Sequence, residues 1–134
     1  MHHLALKRSR AARLPVEMVG ITAEKLPLAD AVFDTVVSTY TLCTIPDPVM
    51  ALREVRRVLA PGGRLLFSEH GKAPDESVRK WQTRIQPVWG KFSGGCHLGR
   101  DIPAILKEAG FDAHLVKPVD HEALEKLLAD HRAR

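Results

Sequence analysis

Two short polar stretches carry most of the groups in this sequence that can do chemistry. Ser38-Thr39-Tyr40-Thr41 sets four hydroxyl side chains in succession, and Ser68-Glu69-His70 ends on an imidazole beside a carboxylate. Imidazole titrates near neutral pH and a neighbouring carboxylate can orient it, so His70 is the candidate general base. The alternative for a lone histidine at a strand-to-loop junction is a structural or exposed residue without a chemical role. Cys43 has apolar neighbours and no base near it in sequence, which reads as a small buried hydrophobe and not as a nucleophile. Cys96-His97 together with His70 offers zinc-binding residue types, but the spacing fits no tetrahedral set, so no metal site is expected.

The polar stretches need elements to hold them. Each follows an apolar run, Thr35-Val36-Val37 before Ser38 and Arg64 to Phe67 before Ser68. Thr35 to Ser38 reads as a strand buried on both faces, as parallel strands are. Between the two runs, Asp47 is a good N-cap and Pro48 a good first helical residue. Val49, Leu52, Val55, Val58 and Leu59 recur at helical spacing, and Pro61-Gly62-Gly63 ends the helix. The result is a parallel β-α-β unit with a polar carboxyl edge, where ligands of open parallel sheets sit.

The flanks continue the alternation. Leu4 to Leu14 is expected to be helical and Val16 to Ile21 a strand ending at Thr22-Ala23-Glu24. A second amphipathic helix is expected from Asp75 to about Trp89, with Val78, Trp81, Ile85, Val88 and Trp89 on one side and Pro87 bending the last turn. That stripe, with Phe92, suits either core packing or a cover over a substrate pocket. Asp101 caps a short helix closed by Gly110, Phe111 to Val116 is a further strand candidate, and Asp120 starts a last helix to about His131. With 134 residues this is a single α/β domain, small for a doubly wound enzyme. The net charge of +4 is too mild to argue for nucleic acid, and the basic cluster Lys7, Arg8, Arg10 and Arg13 reads as the solvated face of a helix. Two cysteines without a CxxC pair point to a reducing, cytoplasmic setting. No apolar run approaches the ~20 residues of a transmembrane segment.

Several pieces in order resemble the class I S-adenosylmethionine-dependent methyltransferases of the small-molecule type: Ala23-Glu24-x-Leu26-Pro27, Phe33-Asp34, Asp47-Pro48, and Glu54-x-x-Arg57-Val58-Leu59-x-Pro61-Gly62-Gly63. Gly95-Cys96-His97-Leu98 and Ala109-Gly110-Phe111 extend the resemblance towards the branch that includes thiol methyltransferases. The resemblance implies S-adenosylmethionine as cofactor and a small, lipophilic or thiol acceptor. It implies that Thr22, Ala23 and Glu24 face the adenine ring, and that Ser38, Thr39 and Tyr40 lie beside the methionine portion and the sulfonium. It places an acceptor-side lid near Trp81, Trp89 and Phe92. The alternative for Ser38 to Tyr40 is an ordinary polar strand end.

Two departures stand out. The acidic residue that commonly faces the adenine in this family is Thr22 here. Nothing matches the family's first motif, a strand ending in an acidic residue and a glycine-rich loop: Gly20 is isolated and every other glycine lies at or beyond Gly62. The expected fold is therefore a partial Rossmann-like methyltransferase fold over residues 1–134, a mainly parallel sheet flanked by helices with its first two strands absent. The chain is expected to be part of a longer protein, with Val36-Val37 on an exposed edge and with weak cofactor binding on its own. A non-catalytic remnant serving as a binding module is the competing reading. A nicotinamide-dependent oxidoreductase would also need the glycine loop, and no Tyr-x-x-x-Lys pair is present.

Overall fold

The computed structural model describes residues 7–8, 15–17, 19 and 22–111. Five elements follow in order: strand β1 (Phe33–Thr39), helix α1 (Pro48–Val58), strand β2 (Leu59–Ser68), helix α2 (Glu76–Phe92) and helix α3 (Ile102–Glu108). The expected helix of residues 4–14, the strand from Phe111 and the helix from Asp120 fall wholly or mostly outside the described residues. Val16, Glu17 and Val19 carry no strand assignment.

β1 and β2 pair in parallel, as the β-α-β reading requires, with Thr35 opposite Arg64, Val37 opposite Leu66 and Thr39 opposite Ser68. β2 begins earlier than the sequence suggests, at Leu59. The register slips between Phe33 and Thr35, where the partner moves from Leu59 to Arg64 and the Ala60–Gly63 segment bulges out. Gly62 has φ +78, and a Cβ on Gly63 would lie 2.8 Å from the Ala60 carbonyl oxygen, so this turn needs both glycines.

Each helix opens on an aspartate cap. The Asp47 carboxylate accepts from the Met50 N–H at 2.9 Å, that of Asp75 from Val78 at 3.1 Å and that of Asp101 from Ala104 at 3.2 Å. Helix α1 buries Ala51, Leu52 and Val58. Leu52 meets Leu42, Ile102, Leu106 and Ala109 in the core, with Leu65, Phe67 and Phe111 packed against them. The core thus lies between α1, α3 and one face of the sheet.

One expectation is corrected by this packing, and one open alternative is narrowed. The β1 strand is not buried on both faces: Val37 is 66% exposed and its partner Leu66 is 52% exposed. Among the described residues only one face of the pair is covered, so side chains alternate in and out along β2. Helix α2 buries no residue at all. Among the described residues its stripe, including Trp81 at 63% exposed and Phe92, faces outward and is not packed as core.

Candidate functional site

The polar ends of β1 and β2 finish level with one another. The Tyr40 N–H donates to the Ser68 carbonyl at 2.8 Å, one step beyond the last strand pair. Glu69 Oε1 receives two bonds from the β1 side, the Ser38 hydroxyl at 2.9 Å and the Thr41 N–H at 2.9 Å. These contacts hold Tyr40 at φ +50, a left-handed conformation rare for a bulky side chain and one that stores strain at the tip. The Tyr40 ring then leans on the His70 ring, with centroids 4.7 Å apart at 43°. Ser38, Thr39, Tyr40 and His70 are therefore brought to one edge, and Thr39, Tyr40 and His70 are exposed there.

One expected relationship is different. Glu69 turns toward Ser38 and Thr41, and among the described residues it makes no hydrogen bond to His70. Successive residues of an extended chain point to opposite sides, so adjacency in sequence separates these two side chains. The other Glu69 oxygen, Oε2, is buried and has no hydrogen-bond partner among the described residues. In the sequence Glu69 reads only as an orienter of His70; its acidic character at a strand end is the available signal for more.

Thr22 to Lys25 form a turn closed by the Lys25 N–H on the Thr22 carbonyl at 3.3 Å. Glu24 reaches the start of α1, where its carboxylate accepts from the Asp47 N–H at 3.5 Å. The segment that follows is fastened to α1 by Arg57. Its guanidinium donates to the Leu26 and Leu28 carbonyls at 2.9 and 2.8 Å and to Asp30, and it forks onto Glu54 at 2.9 and 2.8 Å. Glu54 in turn accepts the Leu26 N–H at 2.9 Å. The Arg57 bonds and then the Leu26 N–H hold the Glu54 carboxyl down to about 2. The motif residues Glu54 and Arg57 are thus positioning residues, which set the 22–30 segment against the helix.

Cys43 and Cys96 are both buried and free. Burial pushes the Cys43 thiol up. Cys43, Cys96 and His70 each present a ligand atom within 4.8 Å of the others, a convergence that their sequence separations hide. A cleft of about 470 Å3 lined by Arg53, Arg56, Arg57 and Gly110 contains no residue of the strand tips. No helix of the described residues is long and apolar enough to cross a membrane.

Comparisons with known proteins bear on the family and the fold. A family model described as a methyltransferase domain matches residues 1–67. The thiol S-methyltransferase TMT1B of Rattus norvegicus is 42% identical over 85 residues, covering 63% of this chain and 35% of the relative. The human thiol S-methyltransferase TMT1A is 36% identical over 100 residues, covering 71% and 41%. Among solved structures, a SAM-dependent methyltransferase of Thermotoga maritima aligns with a TM-score of 0.57 at 25% identity, covering 80% of this chain and 52% of that one. The chain spans 35% to 41% of the length of these two curated relatives. With half its length matched by that model and its parallel strands and flanking helices shared with solved methyltransferases, the chain belongs to the class I S-adenosylmethionine-dependent methyltransferase family.

Proposed function

We propose that this chain forms the methionine-side and acceptor-side wall of a methyltransferase that uses S-adenosylmethionine and acts on a small, lipophilic or thiol acceptor. The observation that supports this reading is the paired polar edge, with Ser38, Thr39 and Tyr40 level with Glu69 and His70 at the carboxyl ends of two parallel strands. The thiol class comes from what the two relatives are named for.

The residues fit the cofactor's methionine end. That end carries an ammonium group, and the buried Glu69 Oε2 is an unsatisfied acceptor among the described residues. Ser38, Thr39 and Tyr40 would hold this end, and Thr22, Ala23 and Glu24 would line the adenine. When bound, the cofactor supplies an electrophilic methyl for in-line displacement, so the protein's task is mainly alignment. His70 would take the acceptor's proton on a ring nitrogen as the acceptor becomes a nucleophile. The Tyr40 ring limits where that imidazole can swing.

The sequence has no glycine-rich loop to let backbone approach the cofactor, so the chain alone is expected to bind it weakly. Losing that loop and its acidic ribose contact costs several kcal/mol, each ~1.4 kcal/mol being tenfold in affinity. Calorimetric titration with S-adenosylmethionine, beside an assay of small alkyl thiol methylation, tests the reading. The expected result is saturable binding weaker than micromolar. Micromolar or tighter binding overturns the expected need for the loop. Absence of heat even at millimolar cofactor overturns the cofactor assignment and favours a non-catalytic binding module. If His70→Ala leaves turnover unchanged across pH, His70 is not the base.

A further inference from the structure

We propose that Cys43, Cys96 and His70 form a binding site for a thiophilic divalent metal ion of the zinc class. Two thiol sulfurs and an imidazole nitrogen lie within 4.8 Å of one another. Zinc bonds sulfur at ~2.3 Å and nitrogen at ~2.0 Å, which sets tetrahedral ligand atoms under about 4 Å apart. The 4.8 Å bound exceeds that spacing by about an ångström, a difference that side-chain rotation can close. Two thiolates and an imidazole select zinc-like ions over magnesium or calcium, which prefer oxygen.

The ligands come from the turn after β1, the residue two past β2 and the loop between α2 and α3, and the two cysteine loops are fastened to each other. The His97 N–H donates to the Cys43 carbonyl at 2.8 Å. Gln86 clamps the Cys96 loop from both directions: its Nε2 donates to the Cys96 carbonyl at 2.9 Å and its Oε1 accepts from the Leu98 N–H at 2.8 Å. Arg100 donates to the Leu42 carbonyl and, at 2.6 Å, to that of Ile45, on either side of Cys43. Such bonds hold both thiols in place before a metal arrives, as a preorganised site requires.

Charge and access also suit a cation. Binding releases the two thiol protons to solvent, so the ion with two thiolates and a neutral imidazole carries no net charge and can sit in a partly buried place. A cleft of about 360 Å3 lined by Gln82, Gln86, His97 and Arg100 borders the same loops. Three protein ligands leave a fourth position for water or a soft exogenous ligand such as a thiolate.

Cobalt(II) titration of the reduced, metal-free full chain reads the site without any methyl transfer; an ion held by His70 occupies the ring nitrogen that would otherwise accept a proton, so metal binding and the base role of His70 belong to different states of the chain. One equivalent is expected to produce thiolate-to-cobalt charge-transfer bands and tetrahedral d–d bands, both erased by zinc. Cys43→Ser and Cys96→Ser should each remove the charge-transfer signature of a two-thiolate set. His70→Ala, at an exposed position that leaves folding intact, should weaken binding more than about tenfold with unchanged metal-free thermal unfolding. A wild-type spectrum without thiolate bands, or equal affinity in His70→Ala, overturns the site. The His70 arm decides the matter even if the buried cysteine variants fail to fold.

Discussion

The Ser38 hydroxyl donates to Glu69 Oε1 at 2.9 Å, tying the end of one parallel strand to the residue just past the other. The same oxygen takes the Thr41 N–H, so one carboxylate sets the shape of the whole tip. Ser38→Ala removes one bond to a charged acceptor and should lower unfolding stability by about 1.5 kcal/mol. Glu69→Gln retains an acceptor oxygen and should cost less than Glu69→Ala, which strands both donors. Urea midpoints of the three variants give the order.

Tyr40 pays for its place with backbone strain, since φ +50 suits glycine. Tyr40→Ala and Tyr40→Gly both lose the ring against His70. Only the glycine also relieves the Cβ clash, so it should be the more stable of the two by about 1 kcal/mol. Thermal melts of the pair check this, and a more stable alanine variant would contradict the strained geometry.

The two amphipathic helices should respond oppositely to truncation. Leu52 on α1 is 0% exposed, and Leu52→Ala should cost about 3 kcal/mol through lost burial and a residual cavity. Trp81 on α2 is 63% exposed, and Trp81→Ala should stay within about 0.5 kcal/mol. Comparable losses at both positions would mean that α2 packs against a core after all.

Glu54 predicts an acid-dependent change. Its folded carboxyl sits at about 2 against an ordinary 4.5, so its stabilising contribution is complete above the ordinary value and is lost as pH falls from there toward about 2. The melting temperature of the wild type should exceed that of Glu54→Gln at neutral pH, and the gap should narrow over that acid window. A gap of constant size from neutral pH down to about 2 would show that the Arg57 clamp does not depend on the carboxylate charge.

Much of this protein was determined locally. Asp47, Asp75 and Asp101 start helices because a short carboxylate can reach backbone N–H groups three residues on, and Pro61-Gly62-Gly63 turns because only such residues allow it. The parallel β-α-β unit and its polar edge follow from residues near one another in the chain. Tertiary structure decided what depends on distant partners. It turned Glu69 toward Ser38 and away from His70, left the α2 stripe without cover among the described residues, and gave Arg57 the carbonyls of Leu26 and Leu28. It also drew Cys43, His70 and Cys96 together, although the spacing alone argued against a metal set. Spacing measures proximity along a chain, whereas ligand sets need proximity in space, and only the folding of three separate loops against one sheet edge supplies that.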